Sequence, residues 1–195
     1  MRMFRSALLV LALVVLAGCH SEKSDIVAYL KELEASNHRL EQVSRDYQEV
    51  VSTVSEESAE GDVDRDDSSK KLRFVVEQMK QEIARVESLH VPEKAQGLHR
   101  AVLAQYRVLL ETVESTEPMI EILAQLSEAN RIATDDPAEA ARVTHEMKTV
   151  EARRAEIADR LDDLMKEGRH YEEQARQEQR KLQQEFGIAV KMEKS

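Results

Sequence analysis

VTHEMKTVEARRAEIADRLDDLMKEGRHYEEQARQEQRKL, residues 143–182, decides the fold. Val143, Met147, Val150, Arg154, Ile157, Leu161, Leu164, Gly168, Tyr171, Ala175, Glu178 and Leu182 follow one another at steps of four and three residues without a slip. A repeat of about 3.5 residues keeps a single seam of a helix turned toward its neighbours. Upstream, Asp136-Pro137-Ala138-Glu139 supplies a start signal: an acid to accept from first-turn amides, a proline at the first helical position and a glutamate that reaches back. The spacing therefore predicts one helix over 137–186, about 75 Å long at the α-helical rise.

Three further helical segments precede it. In the first, Ile26, Leu30, Leu33, Asn37, Leu40, Ser44, Tyr47, Val51 and Val54 keep the same step, with Ser21 or Ser24 as the expected cap. In the second, Leu72, Val76, Met79, Ile83 and Val86 do so, after a cap expected within 66–69. The third, from Leu98 through Val102, Tyr106, Leu109 and Val113, is widened by Leu103, Val108 and Leu110 and reads as the most buried. Between the first two lies EESAEGDVDRDD, residues 56–67, expected to be a solvated acidic loop. Val91-Pro92-Glu93 separates the second from the third, and Pro118 predicts either a kink in the third or a split near Ser115-Thr116.

Composition favours helices. The 195 residues include no Trp, three Phe, four Tyr, five Gly and three Pro, so material for strands and tight hairpins is scarce. The predicted fold is all-α: an elongated antiparallel bundle of three to four long helices with coiled-coil-like heptads, spanning residues 25–190 as one domain. The first helix is too short to cover the last, so the polar end of the last, from about residue 168, is expected to protrude or to meet another chain.

The N-terminus carries a different signal. Arg2 and Arg5 precede Ala7–Ala17, an unbroken run of Ala, Leu and Val, which matches an export signal and is too short to span a bilayer comfortably. Then comes Leu16-Ala17-Gly18-Cys19. Residues 1–19 resemble the lipobox signal peptide of bacterial lipoproteins. That resemblance implies removal of residues 1–18, a diacylglyceryl thioether on Cys19, usually an acylated amine, and residues 19–24 as a lipidated tether. Cys19 is the sole cysteine, so lipidation also accounts for an otherwise odd thiol. Two or three acyl chains suffice for stable anchoring. His20 stands at the position where an Asp commonly retains Gram-negative lipoproteins at the inner membrane, so the periplasmic face of the outer membrane is the expected location. The processed chain would keep 26 basic and 38 acidic residues, a net charge of −12. Such a surface disfavours nucleic acid and anionic headgroups as partners.

Several motifs approach known sites and fall short of them. Asp62-x-Asp64-x-Asp66 resembles the start of an EF-hand calcium loop, but the sixth position is Asp67 where a turn needs Gly, and the twelfth is Arg73 where calcium needs Glu. Glu87…His90 and Glu167…His170 have di-iron spacing, yet Glu167 lies at the edge of its seam and His170 points away. Asn37, Ser44, Arg154 and Glu178 are polar at seam positions, where they set register or face water. His99, within VPEKAQGLHRAVLAQY, reads as a structural histidine; the stretch loosely resembles small helical envelope lipoproteins of unassigned function. No catalytic, cofactor or metal residue is assigned, and Cys19 is the one modification site. The expected function is a membrane-anchored, non-catalytic helical interaction or structural module, with a protein partner or a second copy on its helical surface. The alternative is a ligand- or metal-binding periplasmic bundle, which requires convergent polar groups around a cavity.

Overall fold

The computed structural model describes the backbone of residues 3–131 and 137–188, and the side chains of 22–129 and 142–188. Among these residues five α-helices follow in order: α1 (Met3–Glu60), α2 (Arg65–Glu87), α3 (Gln96–Glu114), α4 (Glu117–Arg131) and α5 (Pro137–Phe186), with a 3₁₀ turn at Glu93–Ala95 leading into α3. No strand occurs among the described residues. The all-α bundle expected from periodicity is the fold observed.

Helix α1 is continuous across the expected cap at Ser21 or Ser24, so residues 19–24 are helical rather than a loose lead-in. The sequence is compatible with the continuity: no proline falls before the heptads begin, and Gly18 is the weakest helix former there. The acidic loop is also shorter than expected. Helix α1 persists to Glu60, and only Gly61–Asp64 connect it to α2. Gly61 holds φ of 74°, its amide bonds Ser58 O at 3.3 Å, and the amide of Asp62 bonds Glu57 O at 2.9 Å. These are the paired bonds of a Schellman stop, which needs a left-handed residue. Asp64, not a residue of 66–69, caps α2 by accepting from the Asp67 amide at 3.0 Å.

Pro118 splits its segment rather than kinking it. The amide of Thr116 bonds back to Val113 O at 3.1 Å, and its carbonyl accepts from Met119 and Ile120 as α4 begins. Pro118 has no amide to continue the ladder across this junction. The predicted last helix is α5, with the same bounds; its Asp136 cap lies outside the described residues.

Helices α1, α2 and α3 run up, down and up, α4 continues the direction of α3, and α5 runs down. Helix α2 packs between α1 and α3, and α5 folds back along α4 and then α3. One apolar cluster runs through the bundle, including Ile26, Leu33 and Val50 of α1, Leu72 and Met79 of α2, Leu98 and Tyr106 of α3, Ile120 of α4, and Ala175 and Leu182 of α5. The last two overturn one expectation. The distal part of α5 does not protrude; it closes the bundle against α3, where Gly97 and Glu178 meet and Lys94 bridges Glu185 at 2.8 Å. Comparing α5 with α1 alone misleads, because α3 starts at residue 96 and gives the last helix a partner along its final turns. The sparsely covered part is the other end of α5, where residues 151–156 are all exposed.

Up-down topology gives the molecule two ends. Glu22, Lys94 and Glu185 come together at one, so the start of the predicted mature chain, the α2–α3 turn and the end of α5 share it. The α1–α2 turn, the end of α4 and the start of α5 lie at the other.

Candidate functional site

The side chain of Cys19 lies outside the described residues; its backbone belongs to α1. The other sequence candidates scatter. In the acidic segment Asp64 is consumed as a helix cap, and Asp66 pairs with Arg65 at 3.3 Å. Glu87 pairs with Arg107 at 2.6 Å instead of converging on His90. Glu167 and His170 are exposed, and the His170 ring lies against its neighbour Tyr171, centroids 5.6 Å apart. Among the described residues no group of three potential metal ligands forms. Ser44 and Arg154 face solvent. Glu178 is half-buried, paired with Lys181 at 2.5 Å.

Asn37 does cross-link helices. Its Oδ1 accepts from the Tyr106 hydroxyl at 2.5 Å, and Ser36 Oγ lies 3.5 Å from the same hydroxyl. Two further contacts repeat the motif. Tyr29 Oη meets His99 Nδ1 at 3.2 Å, and Tyr47 Oη meets Thr116 Oγ1 at 2.8 Å. The separations along the chain are 70, 69 and 69 residues, so α1 and the α3–α4 segment run parallel in constant register. Burial pushes the Tyr29 and Tyr106 hydroxyls up, Tyr29 strongly with Tyr106 reinforcing it, so both stay neutral. Burial holds His99 below the ordinary imidazole range, against the pull of Glu87, and the tautomer of the neutral ring sets which of the two groups donates.

Beside this ladder sits a group that sequence reasoning missed. Glu82 of α2 is 3 % exposed. Arg39 of α1 donates to it through Nε at 2.9 Å and through an Nη at 2.7 Å, and Arg85 adds a third bond at 2.9 Å. Burial alone would raise this carboxyl, but hydrogen bonds from Arg39 and Ser36 and the charges of both arginines hold it below the usual range. The only signal is spacing: Glu82 lies three residues after Met79 and four before Val86, inside the stripe. No buried side-chain polar atom among the described residues lacks a partner. The cluster is thus electrostatically closed, and it fixes α1 against α2.

Two surface grooves remain. One, of about 540 Å³, lies between α3 and α5, where Gly97, Ala101 and Ala104 face Tyr171, Gln174 and Glu178. The other, of about 510 Å³, lies between α4 and the start of α5, floored by Leu126, Ala129, Val143, Met147 and Val150. It belongs to the end opposite Glu22. No known protein family matches the chain, and no curated protein or solved structure is similar to it. No helix among the described residues is long and apolar enough to cross a membrane.

Proposed function

We propose that this chain is a lipid-anchored envelope protein, tethered through Cys19, that acts as a non-catalytic module presenting helical surface to another protein. The periplasmic face of the outer membrane is the proposed site. The reading is carried by the polarity of the bundle. Cys19 lies just before Glu22 at one end, while the apolar groove between α4 and α5 lies at the other. Measured along α5 from Phe186 to Met147, the two are separated by about 60 Å at the helical rise. A rigid rod with an anchor at one end and uncovered apolar surface at the other is suited to reach, not to turnover.

Mass spectrometry of the native protein is the direct test. The expected N-terminus is a triacylated or diacylated Cys19, and Cys19→Ala should leave an unprocessed precursor. A mature chain beginning at any other residue overturns the reading.

A further inference from the structure

We infer that the end of the bundle beside Cys19 rests in the headgroup layer of the membrane, so that its tip makes a second contact with zwitterionic lipid and holds the rod upright on its anchor. The inference deepens the lipid-anchor reading and rests on it. Three observations place lipid there. First, no flexible spacer separates anchor from bundle. Helix α1 is continuous from Cys19 to Glu22, which lies at the tip with Lys94. Three residues of helix rise about 4.5 Å, whereas the headgroup region of one leaflet is about 5–8 Å thick. A lipid thioether on Cys19 therefore draws Glu22 into that layer, together with the Lys94–Glu185 bridge of 2.8 Å.

Second, the tip carries apolar side chains that the bundle covers only in part. Leu89 and Val91 of the α2–α3 turn, with Phe186 and Ile188 at the end of α5, pack inward on the core cluster and stay half-buried. Partly open apolar groups suit the boundary between headgroups and acyl chains, where interfacial segments bury such surface. Third, α5 is stopped so that the tip stays blunt. Gly187 holds φ of 57°, the amide of Ile188 bonds Gln183 O at 3.0 Å, and Ile188 returns to the core. This is the bond of a helix stop built on a left-handed residue. A helix continuing in line would stand between the tip and the bilayer.

Charge selects the lipid. Glu22, Lys23, Asp25, Glu93, Lys94 and Glu185 mix both signs at this end with an excess of acid. Anionic headgroups reward clustered Lys and Arg, which the tip does not offer. Zwitterionic headgroups present both signs and meet this mixture without net repulsion.

The chain contains no Trp, so single-tryptophan variants report position. His90→Trp, at an exposed site on the α2–α3 turn, and Phe186→Trp probe the tip. Phe74→Trp, exposed on α2 about 20 Å farther from the tip, is the reference. The full processed protein is reconstituted into vesicles of phosphatidylcholine and phosphatidylethanolamine that carry a nitroxide quencher on the headgroup. Mass spectrometry of the same sample reads the lipid on Cys19, and circular dichroism reads helicity. The His90→Trp and Phe186→Trp proteins should show emission shifted to the blue and quenched by the nitroxide, and the Phe74→Trp protein neither. If Phe186→Trp loses helicity, His90→Trp decides. With lipid present on Cys19, an unquenched tip, or quenching as strong at Phe74→Trp as at the tip, overturns the inference and leaves the anchor standing. A processed chain without lipid on Cys19 overturns the anchor reading, and this inference with it.

Discussion

Arg39 and Glu82 form an ion pair in which only the acid is buried: the side chain of Glu82 is 4 % exposed and that of Arg39 43 %. The asymmetry decides what each substitution does. Arg39→Ala leaves the carboxylate buried with Arg85 and Ser36 still in reach. Breaking a buried pair costs several kcal/mol, and the exposure of Arg39 together with the surviving Arg85 reduces this to about 1–3 kcal/mol. Arg39→Met with Glu82→Leu removes both charges, and the double variant is expected to be no less stable than Arg39→Ala. Urea denaturation of the three proteins checks the order.

Acid should weaken the same contact. The carboxyl of Glu82 is held below its ordinary value, so its contribution is complete above the unfolded range near pH 4.3 and is lost as pH falls through the lower folded value. Glu82→Gln should flatten this part of the pH–stability curve below about pH 4.5. An unchanged acid limb would mean that other carboxylates dominate it.

A second acid-sensitive contact lies between α1 and α3. His99 is held low by burial beside the Tyr29 hydroxyl, so the folded state binds its proton less readily than the unfolded chain. Stability linked to it is full above about pH 6.5, the unfolded value, and is lost as pH falls through the folded one. The melting temperature should therefore decline between pH 7 and 5. His99→Phe should remove that decline while keeping the ring beside Tyr29. Thermal melts across this window decide the matter.

Two glycines separate conformation from space. Gly61 sits at φ of 74°, and a Cβ added there would meet nothing within 4 Å, so Gly61→Ala is costly through its backbone alone, about 1–2 kcal/mol. Gly97 has ordinary helical geometry, and an added Cβ would come within 2.6 Å of Glu178 Oε2. That atom ends a flexible side chain and can swing aside. Gly97→Ala should thus be nearly neutral, since helix propensity returns up to about 1 kcal/mol. Equal destabilisation of the two variants by calorimetry would contradict this division.

Periodicity reveals a seam where one flank is apolar and leaves it open where two compete. In α5 the seam residues Leu164, Ala175 and Leu182 are buried as their spacing requires. In α1 the row Ile26, Leu33, Leu40, Val54 is common to two registers. The expected flank is Leu30, Asn37, Ser44 and Val51; the buried one is Tyr29, Ser36, Val43 and Val50. Each flank mixes polar and apolar residues, so hydrophobicity alone does not choose. The choice comes from across the bundle. Tyr29 finds His99, and Ser36 is small enough to sit beneath Tyr106 and Glu82. The Arg39–Glu82 pair is hidden for the same reason: a glutamate within a stripe looks like an edge residue until the facing helix supplies its arginine. The far-end groove is hidden because the break at Ser115–Thr116 decides which part of α5 each half of that segment covers.

Those placements decide what truncation should do. Leu182 is 3 % exposed and Ala175 8 %, both within the main apolar cluster, and Lys94 holds Glu185 at the same end. Ending the chain after Gly168 would strip these residues from α3 and open the face that carries Gly97, Ala101 and Ala104. The truncated chain should lose its cooperative melt, and Leu182→Ala alone should cost about 2–4 kcal/mol by the cavity left behind. Phe74→Ala provides the contrast: its ring is 64 % exposed, and its loss should change stability by no more than about 0.5 kcal/mol. Urea titrations of the three variants separate the outcomes. If the chain truncated after Gly168 keeps its midpoint, α5 is held by its first half, and the closure of the bundle by Ala175 and Leu182 is wrong.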